Sequence, residues 1–107
     1  MHVIERFEAL LQQGQDNALL RFGLGNAYLE ADEPQKACIH LRAAVVHDPD
    51  YSAAWKRLGQ ALLACGEPQQ AIEAYQSGIQ AAERKGDVQA GKEMRVFLKR
   101  AQRTLDQ

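Results

Sequence analysis

The stretch Ala54-Trp55-Lys56-Arg57-Leu58-Gly59-Gln60-Ala61-Leu62 has a weaker copy 34 residues upstream, and that spacing decides the fold. Leu24, Gly25, Ala27 and Leu29 precede Leu58, Gly59, Ala61 and Leu63 by 34 positions. Glu33, Pro34, Gln35 and Ala37 precede Glu67, Pro68, Gln69 and Ala71 by the same interval. Setting 18–51 against 52–85 without a gap gives eight identities in 34 positions, on the glycine, the proline and the small and apolar residues that govern packing. A fixed period of this length marks a stack of repeats, in which no unit covers its own apolar face.

Outward from the repeat, residues 2–13 carry Val3, Ile4, Phe7, Leu10 and Leu11 at helical spacing, and Gly14 ends that stripe. The ladder reaches into this helix: Ile4, Cys38 and Ile72 share a rung, as do Phe7, Leu41 and Tyr75, and Leu11, Val45 and Ile79. The chain therefore opens with the second helix of an incomplete repeat. Asp16 or Asn17 can cap the next helix, whose core side is expected at Leu20, Leu24, Ala27, Tyr28 and Ala31. Pro34 suits the first turn of a third helix, and Pro49 stops it near His47. The second copy predicts helices from about Tyr51 to Cys65 and from Gln69 to about Arg84, with Trp55, Leu58, Leu62, Ala71, Ile72, Tyr75 and Ile79 as core. After Gly86-Asp87 a last stripe runs through Val88, Met94, Phe97, Leu98, Ala101 and Leu105. It leaves the register, since Leu58 and Gly59 count forward to Lys92 and Glu93, and it reads as a cap.

The chain resembles the tetratricopeptide repeat family. The resemblance rests on Trp55, Leu58, Gly59 and Leu62, with Ala71 and Tyr75, and on Leu24, Gly25 and Tyr28, with Ala37 and Pro49. Arg21 stands where the pattern has tryptophan, Leu41 replaces the aromatic of the first copy, and Gly78 and Glu83 replace an alanine and a proline in the second. The resemblance implies an all-α, right-handed stack of antiparallel helix pairs with about six helices in one domain. Its parts are an incomplete repeat helix over 1–14, repeats over 18–51 and 52–85, and a capping helix over 86–107.

The 107 residues suit one domain, and 46% apolar with 25% charged residues is ordinary globular composition. No apolar run approaches the ~20 residues of a membrane span, and Glu5, Arg6 and Glu8 interrupt any signal-peptide core, so a cytoplasmic setting is expected. Net charge is −1 but unevenly placed: residues 1–83 carry six Lys and Arg against eleven Asp and Glu, and 84–107 seven against three. The basic positions Lys92, Arg95, Lys99 and Arg103 read first as a solvated helix face. Nucleic acid is a weak candidate partner, because these charges lack interleaved aromatics.

Cys38 and Cys65 lack disulfide-framework or zinc spacing and read as free, small core residues. His40 and His47 are seven apart with no completing carboxylate or cysteine, which argues against a metal site and for solvent-facing histidines. No phosphate loop or nucleophile–histidine motif is present, so catalysis and cofactors are not expected.

In the family's fold the first helix of each repeat lines a concave groove. The positions left over from the core stripe are Leu19, Phe22, Asn26 and Leu29 in one copy and Ala53, Lys56, Gln60 and Leu63 in the other. Phe22, Asn26, Lys56, Arg57 and Gln60 are the candidate binding residues: an apolar anchor beside amides and two cations with no acidic ladder partner. They suit a peptide or protein segment bearing an acidic residue. Only Asn26 and Arg57 match the family's two-carboxylate clamp. The resulting expectation is a scaffold that binds a partner segment without chemistry of its own. A self-assembling homo-oligomer and a non-catalytic regulatory subunit of an enzyme are the alternatives.

Overall fold

A computed structural model describes residues 2–107. Six helices follow one another: α1 (His2–Gln12), α2 (Ala18–Glu30), α3 (Pro34–His47), α4 (Ser52–Ala64), α5 (Pro68–Lys85) and α6 (Val88–Asp106). Among the described residues there is no strand. The turns that separate the helices are built from the expected residues. Asn17 caps α2, its Oδ1 accepting from the Leu20 amide at 2.8 Å, and Asp87 caps α6 by accepting from the Ala90 amide. Pro34 and Pro68 open α3 and α5, where a missing amide hydrogen is harmless. Gly66 and Gly86 follow α4 and α5 in the left-handed region, with φ of 75° and 71°.

Each helix packs on its sequence neighbour, which gives the pairs α2–α3 and α4–α5. In addition the backbones of α2 and α4, and of α4 and α6, approach one another, whereas among the described residues α1, α3 and α5 reach one another only through long side chains such as Arg42 to Gln70. The odd-numbered helices are therefore splayed and the even-numbered ones drawn together, so the stack curves with α2, α4 and α6 on its inner side. The Cα envelope of 41 × 31 × 18 Å fits a slab two helices thick.

Glycine sets the separation within each pair. A Cβ on Gly25 would run into the Leu41 side chain, and one on Gly59 into the Tyr75 ring. Leu41 and Tyr75 occupy the same ladder rung, so the two pairs use one close crossing with different side chains as the filler. Gly78, which stands in place of the family's alanine, lies against Trp55 Cβ on one side and Met94 on the other. Met94 is wholly buried, and no methyl fits at Gly78 while it is there.

Leu20, Leu24, Tyr28, Leu58, Leu62, Ala71, Ile72 and Tyr75 are buried as expected. Ala27, Trp55 and Ile79 are half-buried at the edge of the core, and Ala31 is exposed at the end of α2. Trp55 keeps its indole N–H at the surface, where it donates to the Pro49 carbonyl at 2.8 Å.

The lost register of α6 has a simple cause. From Pro34 to the start of α4 is 18 residues, and from Pro68 to the start of α6 is 20. With that two-residue insertion Leu58 corresponds to Met94 and Leu62 to Leu98, so α6 occupies the place of the first helix of a further pair. We propose that 86–107 closes the stack over α5. Deletion of 87–107 is then expected to uncover Tyr75, Gly78 and Ala82 and to give aggregation or a broad melt. Sedimentation and thermal unfolding of the truncated chain measure this; a soluble, sharply melting product would reject the closing role. At the pair crossing, Gly59→Ala is expected to cost about 1–3 kcal/mol by forcing Tyr75 aside. Urea unfolding checks it.

Candidate interaction face

Three of the five sequence-predicted residues come together where α2 meets α4. Arg57 donates from Nε to Asn26 Oδ1 at 2.7 Å and from Nη1 to Gln60 Oε1 at 2.9 Å. Both acceptors are neutral amides, and Arg57 takes part in none of the ion pairs among the described residues. Its guanidinium is held in place while its charge stays uncompensated. Nη2 has no hydrogen-bond partner among the described residues.

Lys56 does something else. Its Nζ makes a 2.9 Å ion pair with Glu93 of α6, and this hydrogen bond, with a second from Gln89, holds the Glu93 carboxyl below its ordinary pKa. Neither cation has an acidic ladder partner, but Glu93, off the ladder, pairs with Lys56 and not with Arg57. Sequence reasoning missed Glu93 because the insertion before α6 moves it out of the 34-residue ladder. Phe22 is half-buried and leans on Tyr51, with ring centroids 4.8 Å apart and planes at 41°. Tyr51 directly precedes α4 and extends the apolar part of the face. Its place beside the Asp48-Pro49-Asp50 turn, aligned with no aromatic in the other copy, gave no signal.

The histidines depart from expectation. His40 is buried, not solvent-facing, and belongs to a polar network around Arg21, the residue that replaces the family's tryptophan. Arg21 pairs through Nε with Asp16 at 2.7 Å and donates from Nη1 to His40 Nδ1 at 3.1 Å. With Nδ1 accepting, the ring proton sits on Nε2, which faces Glu8 at 3.6 Å. Glu8 also accepts from the Tyr28 hydroxyl at 2.6 Å, and the His40 ring stacks on Tyr28 with centroids 5.4 Å apart. Four side chains thereby bind α1, α2 and α3 together where the second repeat uses Trp55. His47 is exposed and bonds Asp16 at 3.0 Å. The Arg21 hydrogen bond is the main reason that Asp16 is held at a pKa of about 2.

Among the described residues no three or more His, Cys, Asp or Glu side chains converge as a metal site. None of the helices is long and apolar enough to cross a membrane.

A curved two-layer stack of helix pairs on a 34-residue ladder, with an inner face of mixed polar and apolar residues, defines a helical-repeat scaffold. Two family models described as tetratricopeptide repeat match residues 17–61 and 40–87. A TPR repeat-containing protein of Pseudomonas aeruginosa is 48% identical over 101 residues, spanning 94% of this chain and 96% of that one. The solution structure of a Bordetella parapertussis protein superposes with a TM-score of 0.80 at 49% identity, over 95% of this chain and 89% of the other. The Sgt2 TPR domain of Aspergillus fumigatus also gives 0.80, at 31% identity over 96% of this chain and 66% of that one. The chain belongs to the tetratricopeptide repeat family.

Burial lowers the pKa of His40, so the folded state binds fewer protons there than the unfolded state. The His40 contribution to stability is therefore present above the unfolded pKa of about 6.5 and is lost as pH falls from there through the folded value. Unfolding by urea from about pH 7.5 down to about pH 5 should show a fall in wild type that is smaller in His40→Gln. Equal slopes would contradict the neutral, buried ring. The Asp16 contribution is lost at lower pH, as its carboxylate is protonated toward about 2.

Proposed function

We propose that the chain binds a segment of another protein along α2 and α4, with Arg57 meeting an acidic group and Phe22 and Tyr51 receiving an apolar side chain. The observation that carries this is the Arg57 guanidinium, oriented by two amide oxygens and neutralised by no carboxylate. A cation tied down in this way has already lost much of the side-chain freedom that binding would otherwise remove. Proteins of this family are interaction modules. One relative, a heat-shock cognate co-chaperone of Aspergillus fumigatus, is 42% identical over 55 residues, which is 51% of this chain and 16% of that protein. The chain itself has no chemistry in this reading.

The ion pair between Lys56 and Glu93 gives the two cations different roles. Lys56 joins α4 to α6 and shapes the edge of the face, while Arg57 is the contact residue.

Selection from a displayed library of random peptides, followed by calorimetric titration, tests the reading. Selected sequences should share an acidic residue beside an apolar one. Arg57→Ala is expected to weaken binding by about tenfold or more, and Phe22→Ala to speed dissociation. Lys56→Ala should change affinity by less than about threefold, as for a rim charge paired elsewhere. Wild-type affinity in Arg57→Ala and Phe22→Ala alike would move the site off this face.

A further inference from the structure

Cys38, on α3, and Cys65, which ends α4, lie with their sulfurs 3.7 Å apart. They are 27 residues apart in sequence and belong to different helix pairs, so the contact spans the junction between pairs. The ladder shows that this junction position is ordinarily apolar. Thirty-four residues before the pair stand Ile4 and Ala31, which line one concavity beside α1. Beyond it, in the shifted register of α6, stand Ile72 and Ala101, both in the core. Only the middle junction has a thiol on each side, and both are free.

The two sulfurs differ in access. Cys38 is buried, whereas Cys65 is half-exposed at the helix end. Burial, together with the contact to Cys65, pushes the Cys38 thiol up to about 12, so it is a poor first nucleophile. The sulfurs already touch, and a disulfide requires them to close to ~2.05 Å.

We propose that Cys38 and Cys65 are a reversible oxidative modification site that a hydroperoxide converts to an intrachain disulfide between the two helix pairs. The Cys65 thiolate attacks the outer peroxide oxygen, the O–O bond breaks, and the departing alkoxide or hydroxide takes up a proton. Cys65 is then a sulfenic acid. The Cys38 sulfur attacks the Cys65 sulfur, the S–S bond forms as the S–O bond breaks, and the leaving hydroxide takes the Cys38 proton to give water. Two thiols lose two electrons and two protons, and one hydroperoxide becomes one alcohol or water plus one water. The disulfide ties α3 to the end of α4 and so fixes how the two pairs sit against each other. A small thiol reverses it by exchange at the half-exposed Cys65 sulfur.

Hydrogen peroxide is the probe, with intact-chain mass, alkylation of free thiols, peptide mapping and thermal unfolding as readouts. The oxidised protein should form no disulfide-linked dimer, lose the mass of two hydrogen atoms per chain and yield one peptide pair linking positions 38 and 65. Its melting temperature should rise by on the order of 10 °C and return to the starting value with dithiothreitol. Cys65→Ala and Cys38→Ala should each abolish the rise. If burial makes Cys38→Ala too unstable to compare, the half-exposed Cys65→Ala supplies the control. Two alkylatable thiols after peroxide treatment, a Cys65 that proceeds to sulfinic acid, or linkage between chains would each overturn the proposal.

Discussion

The distance between paired helices is the constraint on which the other contacts depend, and glycine sets it twice. Leu41 and Tyr75 fill the space that the absent side chains of Gly25 and Gly59 leave open. Glycine inside a helix costs about 1 kcal/mol relative to alanine. Burying a side chain the size of leucine or larger returns about 1.5–3 kcal/mol, so the exchange favours the close pair. Closeness also directs the rest of the second helix. With α5 drawn in at Gly59, Gly78 sits between Trp55 of α4 and Met94 of α6, and α6 can settle there.

Much of this was legible because the ladder repeats the decisive residues. Pro34 and Pro68, Gly25 and Gly59, and Leu41 and Tyr75 fix turn, crossing and filler in both copies, so period alone carried helix order and most of the core. What escaped were features that occur once. The two-residue insertion before α6 lies in no repeated unit, and it hid both the alignment of Met94 with Leu58 and the reach of Glu93 to Lys56. Of the proposed interaction face, helical spacing put Asn26, Arg57 and Gln60 on one side of α2 and α4, and their hydrogen bonds join the two helices. Tyr51 and the thiol contact were not legible, since no periodic pattern indicates which side chains meet across a turn.

Arg21 shows how a departure from the repeat pattern is accommodated. Trp55 fills its place with an indole whose N–H reaches a carbonyl at the surface. Arg21 brings a charge instead, and that charge needs partners, since a half-buried guanidinium without them loses hydration it cannot replace. Asp16 supplies the countercharge, and the neutral His40 ring accepts a further hydrogen bond. Glu8 and Tyr28 complete the set from α1 and α2. The substitution exchanges apolar burial for a polar network, and it explains why a histidine that looks surface-bound in sequence is buried.

Two arginines of the chain thus meet opposite fates, and the contrast bears on function. Arg21 is surrounded by groups that answer its charge, so it is part of the architecture. Arg57, on the adjoining repeat, is gripped as firmly, yet by amide oxygens that orient it and leave its charge intact. A carboxylate in place of Asn26 or Gln60 would have been the more stabilising neighbour, because hydrogen bonds between ionised groups are roughly twice as strong as neutral ones. The chain places that carboxylate, Glu93, on Lys56 instead. On the proposed face Arg57 is thus a directed positive charge, and one directed cation would select a partner more narrowly than two mobile cations would.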